Sequence, residues 1–397
     1  MDLDVIIQSI CICIGKDVFP NMKNKFLNSN IIFAFVILLV IIVLLLIPTG
    51  FERAANANGI QSKAEILEVD NSSVYDIGLI KHGTQICKVK ILSGKYKGVR
   101  TSAFNELIGK LEMDKIFVPG DKALVSIDIK DGKIQFVTLI DHYRIHLEIL
   151  LFGAFILLLV AFAGWTGVRA ILSFAFTILM IWKVLIPCFL KGYNPILLSL
   201  LLVAALTSVT ILLVSGFNIK SCVAISGALS GSLLTCILAV IFGNSFKVHG
   251  AVLAFSESLL YSGYQNLSLT NIFIAGIFIA STGALMDLAM DISAAVYEIT
   301  EKKPSITAKE AIKSGLTIGR TVLGTMTTTL LLAYSGGYVA LLMVFMSLDT
   351  PVINILNLKY VSGEILNTVV GSFGLVTVAP FTAILAGFFF TRPQKKL

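Results

Sequence analysis

Ala280-Ser281-Thr282-Gly283-Ala284-Leu285-Met286-Asp287-Leu288-Ala289-Met290-Asp291 decides how this chain is read, because it sets two aspartates inside a long apolar run. Asp287 and Asp291 stand at i and i+4, so on an α-helix their carboxylates share one face. Carboxylates at membrane depth are costly and rare, and those that occur usually line an ion path, a substrate path or a proton relay. Continuing along the same face reaches Glu298, where the run meets the charged segment Lys302 to Lys313. The next apolar segment opens Gly319-Arg320-Thr321-Val322-Leu323-Gly324-Thr325-Met326-Thr327-Thr328-Thr329, a cation followed by hydroxyls.

Composition agrees with a membrane setting. The 397-residue chain is 56% apolar and 14% charged, with a mean hydropathy of +0.89, whereas soluble domains carry roughly 25% charged residues. Apolar runs recur near the length that a helix needs to cross about 30 Å of hydrocarbon. The net charge of +7 belongs to helix flanks, where Lys and Arg concentrate on the cytoplasmic side. No basic stretch interleaved with aromatics is present, so nucleic acid is excluded as a partner.

Working outward, nine apolar segments emerge: 31–47, then 146–164, 168–190, 195–215, 221–243, 271–297, 315–335, 338–356 and 368–391. The expected fold is a polytopic α-helical bundle of eight or nine membrane helices with one small all-β domain. Residues 1–30, with Lys16, Lys23 and Lys25, form a cytoplasmic segment. Residues 31–50 form an uncleaved anchor, since the run is long for a signal peptide. Residues 145–397 form the bundle. Nine crossings would leave the basic tail Arg392 to Lys396 outside, against the positive-inside rule, unless a segment near Asp349-Thr350-Pro351 is re-entrant.

Residues 51–144 alternate apolar and polar positions in short runs: Ala64 to Val69, Gln85 to Ile91, Val99 to Phe104, Lys122 to Ile129 and Lys133 to Ile140. Gly94, Gly98, Pro119-Gly120-Asp121 and Asp131-Gly132 supply the turns. Five strands in this length predict a small barrel, OB-like, outside the cytoplasm. His82 and His142 are isolated, and Cys87 is the domain's lone cysteine, so no internal bridge forms there. Cys11 and Cys13 lack a second pair to complete a metal site, and Cys188, Cys222 and Cys236 read as small core residues.

Depth counting brings the polar positions of the two helices together. Asp291 precedes the cytoplasmic loop by about as many residues as Arg320 follows it, which sets both roughly 10 Å inside at 1.5 Å per residue. An Asp291–Arg320 ion pair is expected, with Asp287 left facing Thr325, Thr327 and Thr328 and free to exchange a proton; the Thr cluster with the acids is also a candidate cation site. A bland alternative is an acid–arginine pair that only fixes helix packing. Gly276, Ala280, Gly283 and Ala284 add small residues at the spacing that admits a close second helix. Lys183 reads as a snorkelling side chain. No Ser-His-Asp order, Walker loop, H-E-x-x-H or paired CxxC occurs, so neither an enzyme nor a cofactor is expected.

Six short motifs carry a resemblance: Leu92-Ser93-Gly94-Lys95-Tyr96-Lys97-Gly98, Val118-Pro119-Gly120-Asp121-Lys122, Asp141-His142-Tyr143-Arg144, Gly164-Trp165-Thr166-Gly167-Val168-Arg169, Ser281 to Asp287 and Gly319 to Met326. Through them the chain resembles the YibE/F family of bacterial multi-pass membrane proteins. A partial likeness to the SecF half of the SecD/SecF translocation accessory, of the proton-driven RND superfamily, rests on Asp287, Glu298, Arg320, Thr327 and Thr328. Asp291 has no counterpart in that pattern. The function expected is a proton- or cation-coupled transporter or translocation factor in a bacterial plasma membrane. Its coupling centre would be Asp287, Asp291, Arg320, Thr325, Thr327, Thr328 and Glu298. Expected partners are the lipid bilayer and a small solute or ion, with a homo-oligomer or another membrane protein also open. The alternative is a non-transporting scaffold or sensor whose external barrel binds a partner.

Overall fold

The computed structural model describes residues 25–51 and 59–391, with residues 25–29 as backbone alone. The N-terminal basic segment with Cys11 and Cys13, and the tail from Arg392, lie outside the described residues. The chain divides into two compact units, Gly50–Leu159 and the remainder.

The first unit holds six strands: β1 Gly59–Asp70, β2 Val74–Ile77, β3 Ile80–Ile91, β4 Arg100–Ile108, β5 Lys122–Lys130 and β6 Lys133–His142. The sheet order is β1-β5-β6-β4-β3-β2, and β1 also pairs with β3, which closes five strands into a barrel. The barrel and its five strands were legible from alternation. The extra strand β2 is a four-residue flap paired antiparallel to β3 through Ile77↔Ile80. All pairings are antiparallel except β4 with β6. Inward positions Ile66, Val89, Ile91, Ala103, Val125, Ile127, Val137 and Leu139 are buried around Phe117. Gln85, inside the barrel, pins the β4–β5 connection: its Nε2 donates to Phe117 O at 3.0 Å, and its Oε1 accepts from Phe117 N at 3.0 Å and Asn105 Nδ2 at 3.2 Å. Asn105 Nδ2 also donates to Lys115 O at 2.6 Å. Burial pushes the Cys87 thiol up to about 11, so it packs as a small hydrophobe.

The second unit is helical. The helices are α1 Lys25–Leu46, α2 Ile145–Leu190, of which the part up to Leu159 belongs to the first unit, α3 Pro195–Ser215, α4 Ile219–Ser245, α5 Leu269–Lys302, α6 Ala308–Ser335, α7 Val339–Ser347 and α8 Lys359–Phe390. Among the described residues six helical runs are long and apolar enough to cross a membrane: α2, α3, α4, α5, α6 continued through α7, and α8; the apolar part of α1, Asn30–Leu46, is shorter. The nine segments read from sequence therefore do not become nine separate membrane-length runs. Two of them, 146–164 and 168–190, do correspond to two helices; a π-helical turn at Ile181–Leu185 interrupts the second, and the two meet at a kink at Gly164, with φ 53 and ψ −130. Such a backbone conformation is open to glycine and strained for other residues. The segment 338–356 is cut by Asp349, at φ 49, and by Pro351, which starts a short helix Val352–Asn357.

Polar side chains set the helix boundaries. Thr307 and Glu310 form a reciprocal capping box that starts α6, and Asn218 caps α4 by accepting from Ser221 N at 2.9 Å. Lys183, in a π-helical turn of α2, donates its ammonium to Ile47 O at 2.9 Å and so caps the end of α1.

Small residues set the spacing of the bundle, as expected where helices meet without a hydrophobic drive between them. α5 lies at the centre, packed by α3, α4, α6 and α8. A methyl group on Gly315 of α6 would come within 2.9 Å of Ala383 Cβ and 3.0 Å of Val296 Cγ2. On Gly319 it would meet Ala379 Cβ at 2.9 Å and Ile292 Cδ1 at 3.2 Å. The three helices α5, α6 and α8 are thus in backbone-close contact.

Candidate functional site

Gly315 beside Val296 and Gly319 beside Ile292 establish the register of α6 against α5. The helices run antiparallel, so each step forward on α6 is one step back on α5. Arg320 therefore lies level with Asp291, and Gly324 and Thr325 lie level with Asp287, as depth counting implied.

Level is not contact, however. Among the described residues no ion pair joins Asp291 to Arg320. Rotation about the helix axis explains this. Gly319 faces the α5–α8 junction, and Ile312 and Tyr334 touch Gly387 and Gly371 of α8. Arg320 follows Gly319 by one residue, about 100° round the helix. That turn carries it past the α8 side, away from α5, and leaves it exposed. Thr325 lies on the opposite edge, toward α5. Thr328 points straight outward, and Thr327 is half-buried on the α8 side. Each of these threonines donates its hydroxyl back to its own helix, Thr325 to Val322 O at 3.0 Å, Thr327 to Leu323 O at 2.8 Å and Thr328 to Gly324 O at 3.2 Å. Their remaining lone pairs can only accept.

The acids themselves lie on the unpacked face of α5. Gly276, Ala280, Gly283, Asp287, Asp291, Ala294 and Glu298 recur at three- and four-residue spacing, and every one is exposed. Leu285, Leu288, Ile292 and Val296, on the reverse face, are fully buried. Nothing approaches the Cβ positions of Gly276, Gly283 or Gly324. On one side the stripe is bordered by α6. On the other side Met290 meets Ser215 of α3. A groove floored by small residues and carboxylates thus runs down α5 between α3 and α6. Glu298, at its charged end, pairs with Lys302 at 2.7 Å, both side chains well solvated. This is an ordinary i,i+4 surface pair.

The structure also shows a polar cluster that sequence reading missed. Glu364 of α8 is half-buried, with Asn367, Thr368 and Tyr338 within reach of its carboxylate and Tyr334 beside it. Glu364 falls between the segments 338–356 and 368–391, so by hydropathy it looked like part of a connection. Instead α8 begins at Lys359 and carries Glu364 within its second turn. The signal was available as Glu364-Ile365-Leu366-Asn367-Thr368, whose i, i+3 and i+4 spacing puts three polar groups on one face. Among the described residues no group of three or more His, Cys, Asp or Glu side chains gathers to hold a metal.

In the barrel, Phe136 is largely exposed and stacks on Phe104 with ring centroids 4.7 Å apart. The residues His82 and His142 are engaged locally, His82 against Tyr75 and His142 against Phe117 and Asp121.

A family model described as YibE/F-like protein matches residues 151–392, which contain every polar group of the groove and the Glu364 cluster. No curated protein and no solved structure matches the chain.

Proposed function

The chain belongs to the YibE/F-like family of membrane proteins, and from that premise we propose that it couples the movement of a proton or cation to transport or translocation across a bacterial plasma membrane. The supporting observation is the outward face of α5. A helix face turned to lipid carries large apolar side chains, whereas this one carries three carboxylates and four small residues. Such a face suits a hydrated path, or a partner helix that closes one. Asp287 is the proton or cation carrier in this reading. Asp291 and Thr325 border the same groove, Arg320 faces outward from α6 level with Asp291, Thr328 does so about two turns further along, and Glu298 marks the cytoplasmic mouth. The barrel then lies outside the cell, residues 302–313 lie inside, and no enzymatic step is involved.

Proteoliposomes with an imposed pH gradient, screened over ions and small solutes, provide the test. Asp287→Asn keeps shape and hydrogen bonding but removes titration, so coupled flux should fall by more than about tenfold in folded protein. Full activity with unchanged pH dependence would end the assignment of Asp287. A second reading, a sensor whose barrel binds a partner, draws support from the exposed Phe104–Phe136 stack. It expects Phe136→Ala, and not Asp287→Asn, to abolish function.

A further inference from the structure

Among the described residues, three buried polar atoms at one end of the bundle have no hydrogen-bond partner: Glu364 Oε1, Asn367 Oδ1 and Tyr334 Oη. They belong to side chains that surround one another, with Tyr338 and Thr368 completing the group. The first two are acceptors, and the third can accept. No ion pair reaches Glu364 among the described residues. The cluster therefore combines a half-buried carboxylate that meets hydroxyl and amide groups but no cation with unmet oxygen acceptors on α6 and α8. Each unmet group costs stability, and an unpaired buried charge costs more.

Three occupants can be weighed by what they satisfy. Water meets acceptors but leaves the charge. A proton cancels the charge, but its single hydrogen can join Glu364 to only one neighbour and leaves another oxygen unmet. A divalent metal would leave an excess positive charge in a low-dielectric setting. A monovalent metal cation cancels one carboxylate and takes several oxygen ligands at once, the ligand type that hard cations prefer. We propose that Glu364, Asn367, Thr368, Tyr334 and Tyr338 form a binding site for one monovalent metal cation of the Na⁺ class. Tyr334 lies ten residues beyond Gly324 on α6, so this site is roughly 15 Å along the axis from Asp287. It is a separate site and does not depend on the role assigned to the α5 groove.

The test is equilibrium binding of radiolabelled Na⁺ to the purified full-length protein, with thermal unfolding in NaCl against choline chloride at equal ionic strength. Saturable Na⁺ binding and Na⁺-specific stabilisation are expected for the wild type. Glu364→Gln should abolish both in the Asp287→Asn background, where the groove holds no cation. Asn367→Ala keeps the carboxylate and should weaken affinity by about tenfold. Asp287→Asn removes any cation held in the groove and should still keep this Glu364-dependent Na⁺ site, so failure of the groove reading would leave this result unaffected. Four outcomes overturn the site: no Na⁺ response in the wild type, Na⁺ binding that survives Glu364→Gln in the Asp287→Asn background, wild-type affinity in Asn367→Ala, or stabilisation by low pH with no effect of Na⁺. If Glu364→Gln fails to fold, the wild-type and Asn367→Ala measurements decide.

Discussion

The barrel and the bundle both keep polar side chains away from water, and they use them in opposite ways. In the barrel, Gln85 spends its amide on Phe117 and Asn105 and thereby ties the β4–β5 connection to the strands. The barrel's orphaned side-chain atoms, on Tyr96, Asn105 and Ser126, belong to hydroxyl and amide groups and not to carboxylates. In the bundle the packed interfaces are made by glycine and alanine, while the carboxylates stand apart from them. Asp287 and Asp291 face outward, and Glu364 keeps an oxygen unmet. Polar groups tie the barrel together, whereas the closest helix contacts of the bundle run through glycine and alanine.

Four tests can break or sharpen that contrast. The largest effect is expected at Gly319, where a side chain has no room between Ala379 and Ile292. Gly319→Leu should lower stability by about 3 kcal/mol or prevent assembly, read as the thermal midpoint of purified protein. A neutral outcome would mean that α5, α6 and α8 are not in backbone contact. Next, Gln85→Ala in the barrel removes partners from buried groups and should cost about 2 kcal/mol in chemical denaturation. An unchanged denaturation midpoint would show that the network is dispensable, and the contrast would fail on the barrel side.

Asp114 gives a smaller, pH-dependent effect. Its carboxylate accepts from Ile108 N at 3.0 Å and Lys110 N at 2.8 Å, and the Ile108 bond is the chief reason its pKa lies below the ordinary value. A depressed folded pKa means that the stabilisation is complete above the unfolded value of about 3.9. It is lost as pH falls through the folded value. Asp114→Asn should therefore lower the midpoint of unfolding at neutral pH and have no effect once the wild-type acid is protonated. A pH-independent effect would exclude the carboxylate as the cause.

The smallest effect belongs to Asp291 and Arg320. Level but unpaired, they should show additive stability changes in Asp291→Asn, Arg320→Gln and the double variant, with coupling under about 0.5 kcal/mol. Strong coupling would mean that the two side chains meet across the bundle after all.

The sequence determined much of this protein by period and composition. Alternation over 51–144 specified the five strands of the barrel, because the two faces of a strand differ in burial whatever the neighbours are. Apolar length specified membrane helices, and counting from the 302–313 loop placed Arg320 level with Asp291, because helical rise is the same in every helix. The motifs Ser281 to Asp287 and Gly319 to Met326 marked the family. Rotation and closure were decided by the tertiary structure alone. Whether Arg320 faces α5 depends on which side of α6 the glycine stripe packs, and that follows from the fit of Ala379 and Ala383 on another helix. Likewise Glu364 became part of a buried cluster only because α6 and its continuation bring Tyr334 and Tyr338 beside α8. Depth is a property of one helix, whereas the direction a side chain faces is a property of how several helices pack together.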